Sequence, residues 1–130
     1  MIDPEQFARA IVDRLTPILP AGFFARAEEG VVSIDAPDGL GAATSVADLL
    51  DRDDLDPQDY ADAAWAVLSL AQDVVGETTS DPWPAPLGSG TDLAEPGTAA
   101  EDGRISLWFG AEEQPVLTLR SIEIEVRGER

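Results

Sequence analysis

The sequence predicts an α+β fold in one domain covering 1–130: an antiparallel sheet of about four or five strands with two amphipathic helices on one face. Three observations point there. Apolar stripes at helical period follow Asp3-Pro4 and Asp56-Pro57. The stretch RISLWFG at 104–110 alternates strictly, as a strand with one wet face does. Turn residues at Glu29-Gly30 and Pro37-Asp38-Gly39 punctuate short β-rich stretches.

The first helix opens on Asp3, an N-cap type whose carboxylate accepts from the free N–H groups of the first turn. Pro4 takes the first helical position, Gln6 stands where a capping box needs it, and Ile2 with Phe7 forms a staple. Phe7, Ile11, Leu15 and Ile18 mark one face, and Pro17 and Pro20 close the helix. Residues 23–28 and 31–36 then read as two short strands joined at Glu29-Gly30, with Val32 and Ile34 pointing to the dry side. Residues 40–50 admit two readings. Residues 42–46 suit a third strand, and Ser45 with Asp48 suits the cap of a short helix; a strand running into a helical turn reconciles them.

The long helix is the best-marked element. Asp56 caps it, Pro57 begins it, and Leu55 and Tyr60 are spaced as a staple. Tyr60, Ala64, Val67, Leu68, Ala71, Val74 and Val75 share a face, with Asp62, Ser69 and Asp73 opposite and Trp65 at the stripe's edge. Gly76 and 78–80 weaken its end, and Pro82 forbids continuation. Trp83, held between two prolines, is either folded back onto the core or offered to a partner; folding back is favoured. Residues 85–103 are rich in Pro, Gly, Ala and acids and read as a flexible loop. After the strand at 104–110, Glu112-Glu113-Gln114 turns the chain and 115–120 returns. The apolar parity slips between Leu119 and Ile122, which predicts a bulge near Arg120 and Ser121, because a one-residue slip swaps faces. Residues 127–130 are expected to fray.

Composition excludes more than it offers. The 130 residues carry 26 acids against 8 bases, for a net charge of −18, and every base is Arg. With no Cys there is no disulfide or thiolate chemistry. The absence of His removes the commonest acid–base catalyst and metal ligand. The absence of Lys excludes Schiff-base chemistry and argues against a P-loop; Gly88-Ser89-Gly90 is not followed by one. Such charge repels nucleic acid and anionic membranes and attracts cations or basic proteins. A GC-rich coding sequence and a high-salt host each account for the same composition. No run approaches the ~20 apolar residues of a membrane span, and MIDPEQFARA lacks the features of a signal peptide, so a cytoplasmic protein is expected.

The acids cluster at Asp48, Asp51, Asp53, Asp54, Asp56, Asp59 and Asp62. As an EF-hand counted from Asp51, the fifth position is Leu55 and the sixth is Asp56 rather than Gly, so the calcium pattern fails. No catalytic residue, metal or cofactor is assigned. At DPWP after the long helix, and at LWFG followed by PVLTL, the chain resembles a group of small acidic actinobacterial proteins. That resemblance implies a bacterial cytoplasmic origin and transfers no functional residue.

The functional expectation is a non-enzymatic protein-binding module, an adaptor, chaperone or immunity-type inhibitor, with a protein partner of basic character. Trp83 and Trp65 would flank a docking groove, and Asp51, Asp53 and Asp54 would steer the partner. The alternatives are a carboxylate-based or Mg²⁺-dependent enzyme and, third, a DNA mimic.

Overall fold

The structure, a computed structural model, describes residues 2–80, 83–84 and 94–125. Its elements run α1 (Pro4–Leu15), β1 (Phe24–Glu28), β2 (Val31–Asp35), β3 (Gly41–Ser45), α2 (Val46–Leu49), α3 (Pro57–Thr79), β4 (Pro96–Glu101), β5 (Arg104–Ala111) and β6 (Gln114–Glu123). The α+β class is as the sequence predicts. The sheet is not single: β1-β2-β3 and β4-β5-β6 form two separate antiparallel meanders. The physical reason is the chain between them. α3 occupies 23 residues and carries the chain away before β4 begins, so each meander pairs only with its sequence neighbours.

Caps form where the sequence places them. Asp3 accepts from Gln6 N–H, and Asp56 and Asp59 form a reciprocal capping box at α3. α1 gives way at Pro17 to a single 3₁₀ turn over Thr16–Ile18. α3 ends at Thr79, with Ser80 in the left-handed conformation. Ser45 closes β3 and caps α2 through Asp48 N–H, so the strand and the helical turn proposed for 40–50 both exist.

One strand lies inside the stretch read as a flexible loop. β4 covers Pro96–Glu101, and that part of the 85–103 expectation is corrected; residues 85–93 lie outside the described residues, as do 126–130. PGTAAE carries no large apolar alternation, so its strand state comes from pairing with β5 and not from propensity.

The parity slip in the last strand is real. Ile105 pairs with Ile122 and Leu107 with Leu119, so three steps on β6 oppose two on β5, and the extra residue falls at Arg120 and Ser121. The bulge keeps Leu119, Ile122 and Ile124 all buried.

The core lies between the helices and the inner faces of both sheets. α1 packs on β1, β2 and β6, while α3 packs on β2, β3, β4 and β5, so each helix touches both sheets. Phe7, Ile11, Leu15, Ile34, Tyr60, Leu68, Ile105, Leu107 and Phe109 are almost wholly buried. Each such side chain contributes about 1.5–3 kcal/mol by leaving water. An exposed ion pair such as Arg9–Glu5 contributes at most about 1 kcal/mol, so the core and not the charge pattern holds the fold. No described helix is long and apolar enough to cross a membrane.

Candidate functional site

Trp83 is not an exposed anchor. Its ring packs edge-on against Phe109 with centroids 5.3 Å apart, and its carbonyl accepts from Gln72 Nε2 at 3.2 Å. Trp83 is thus half-buried and folded back as the sequence favours, because burying an indole against the core outweighs leaving it in water. Trp65 is 46% exposed, yet its Nε1–H is engaged with Pro96 O at 3.1 Å.

The main chain of 94–98 lies against α3, held by three side chains. Thr98 donates to Ala61 O, Trp65 donates to Pro96 O, and Gln72 donates to Ala94 O at 2.7 Å. Gln72 is buried and satisfies two carbonyls at once, which is why a polar residue is tolerated in the apolar stripe. Asp51, Asp53 and Asp54 lie on the exposed connection before α3. Arg52 in the same connection pairs with Asp59 at 3.3 Å. Among the described residues no group of three or more acids converges as metal ligands would.

Among the described residues, two open grooves border strands of the first sheet. The one between α1 and β1, about 530 Å³, is lined by Arg9, Val12, Ala25, Arg26, Ala27 and Glu28. Its arginines are already paired, Arg9 with Glu5 at 2.7 Å and Arg26 with Asp35 at 2.9 Å. The other, about 480 Å³, lies between β3 and the last turns of α3 and is lined by Leu40, Gly41, Ala42 and Val74, with Asp38, Glu77 and Thr78 around them. Leu40 stands 71% exposed at its edge. The Pro37-Asp38-Gly39 turn sets this up: Gly39 N–H donates to Ala36 O, and Asp38 Oδ1 accepts from Leu40 N–H. Every charged side chain lining this groove is acidic. A groove lined by apolar and acidic side chains together suits a segment that offers apolar side chains between basic ones.

The sequence reading missed this groove. Its only signal was the uncharged run at 39–47, GLGAATSVA, in a chain otherwise dense with acids. No protein-family model matches the chain, and neither the curated proteins nor the solved structures compared with it include a match.

Proposed function

We propose that this protein is a non-enzymatic binding module for a basic protein partner, working in the cytoplasm, and that the partner docks in the groove between β3 and the C-terminal half of α3. The observation that carries the reading is Leu40, a large apolar side chain left 71% in water beside a groove whose charged residues are all carboxylates. The net charge of −18 brings a basic partner in quickly and disfavours nucleic acid. Leu40 with Ala42 and Val74 then supplies the apolar contact that holds it. Asp51, Asp53 and Asp54 add to the long-range field without touching the docked segment.

The test is a tagged pull-down from native extract at low and moderate salt, using the wild type, Leu40→Ser and Glu77→Arg. A stoichiometric protein bound by the wild type and weakened in both variants is expected, with Glu77→Arg flattening the salt dependence. Equal capture by all three chains would remove the groove as the site.

A further inference from the structure

Two three-stranded sheets have four edges, and an unprotected edge is a template for another strand. Three of the four are guarded. β1 carries Arg26 and Glu28 and lies against α1. β4 is covered by α3, with Trp65 on Pro96 O and Thr98 tied to Ala61. β6 is broken by register shifts, contains Pro115, and gives the carbonyls of Arg120 and Ser121 to Arg14. Among the described residues, only β3 has neither a charged side chain nor a side-chain hydrogen bond to its main chain. Its five residues, GAATS, bear no charge, and Gly41, Ala42 and Ala43 are exposed.

The ladder shows which groups are free. Ala36 N–H donates to Leu40 O at 2.7 Å, and Ile34 pairs with Ala42 and Val32 with Thr44. Antiparallel pairing alternates, so Ala42 and Thr44 turn their N–H and C=O toward β2, as Leu40 turns its C=O, while Leu40 N–H goes to Asp38 Oδ1. Gly41 and Ala43 turn theirs to the open side, and no described residue bonds them there. Gly41 and its neighbour Ala42 also line the groove that carries Asp38 and Glu77.

We infer that β3 accepts an extended, basic segment of the partner as a fourth antiparallel or parallel strand of the first sheet. This rests on the binding-module reading above and specifies its mode. Main-chain pairing to Gly41 and Ala43 gives affinity, and alternate side chains give specificity, apolar ones toward Ala42 and Val74 and basic ones toward Asp38 and Glu77. A second copy of this chain is the wrong occupant. Pairing β3 with β3 would bring together two chains that each carry a net charge of −18.

The probes are three synthetic heptapeptides: alternating Arg and Val, the same with Glu for Arg, and the Arg–Val peptide N-methylated at alternate amides. Binding is read by calorimetry and by amide exchange at Gly41 and Ala43. The wild type is expected to bind only the first, with protection of both amides. Ala43→Pro removes an N–H that β2 does not use, and should weaken binding roughly tenfold or more, as should N-methylation of the probe. Should Ala43→Pro fail to fold, the N-methylated probe decides alone. Binding that Glu77→Arg abolishes but that Ala43→Pro and N-methylation leave intact would overturn strand addition and keep the binding module. No binding of the Arg–Val peptide to the wild type would overturn both. A wild-type dimer lost in Ala43→Pro would overturn the basic occupant in favour of a second copy.

Discussion

Arg14, on α1, donates through its guanidinium to Ser121 O at 2.9 Å and, more weakly, to Arg120 O at 3.3 Å. These are the two residues of the β6 bulge, whose carbonyls the ladder no longer uses in register. Asp13 holds both Arg14, at 3.0 Å, and Arg120, at 2.8 Å. The first helix therefore clamps the last strand where that strand changes face.

Arg14→Met should keep the aliphatic packing and remove the donors. The Arg14 side chain is only 16% exposed, so the stranded carbonyls are only partly rehydrated. A loss of about 1–2 kcal/mol is expected in urea unfolding. Asp13→Asn, at a position 61% exposed, should cost less than about 1 kcal/mol. An equal loss in the two variants would show that the ion pairs, and not the bulge carbonyls, are what Arg14 serves.

That bulge was legible because it leaves a one-residue slip in apolar parity between Leu119 and Ile122. The helix starts were legible for a similar reason: caps are local, and Asp-Pro carries the whole signal in two residues. β4 was not, since its pairing to β5 supplies what its composition lacks. The overlooked clue was Asp102-Gly103, both in the left-handed region and joining β4 to β5 in a two-residue hairpin. The division into two sheets and the folding back of Trp83 depend on contacts distant in sequence, such as Trp83 with Phe109. The candidate groove was hard to read because it joins β3 to the last turns of α3, whose lining residues are distant in sequence.

Trp108 lies flat over Gly97, its cross-strand partner; a Cβ at position 97 would meet the indole at 2.4 Å. Gly97→Ala should displace the ring from the outer face of the sheet and cost about 1 kcal/mol. Trp108→Ala should cost at least as much, and the double variant less than the two together, because either change alone breaks the same contact. Full additivity in thermal melts would separate the two residues.

Gln72 is the polar joint between α3 and the segment before β4. Gln72→Leu should cost about 1–3 kcal/mol by leaving the carbonyls of Ala94 and Trp83 without their donor. Gln72→Glu is more telling. An ionised carboxylate facing two carbonyls repels them, whereas a protonated one donates. The folded state then raises the new carboxyl's pKa, so the deficit relative to wild type should shrink as pH falls toward the ordinary carboxylate range. A deficit independent of pH would mean that shape alone matters at this position.

The 26 acids against 8 bases predict self-repulsion in the folded state. Raising ionic strength to about 0.1 M shortens the screening length to about 10 Å, which weakens that repulsion between distant carboxylates. The melting temperature should rise with sodium chloride. A fall would mean that attractive pairs such as Arg120–Asp13 outweigh the net repulsion.

Tyr60, the single tyrosine, donates its O–H to Ile2 O at 2.7 Å and stacks edge-on with Phe7. Burial first, then the carboxylates of Asp3 and Asp59, push its phenol above the ordinary value of about 10. Between that value and the raised one the unfolded chain holds fewer protons than the folded chain, so stability falls as pH rises. Below about 10 the contribution is complete, and it is lost as pH passes through the folded value. Alkaline unfolding followed by tyrosinate absorbance should therefore show ionisation and unfolding together. Tyr60→Phe should lose the bond to Ile2, about 1 kcal/mol at neutral pH, and show a shallower alkaline decline. An alkaline limb of unchanged slope in Tyr60→Phe would assign that decline to other groups.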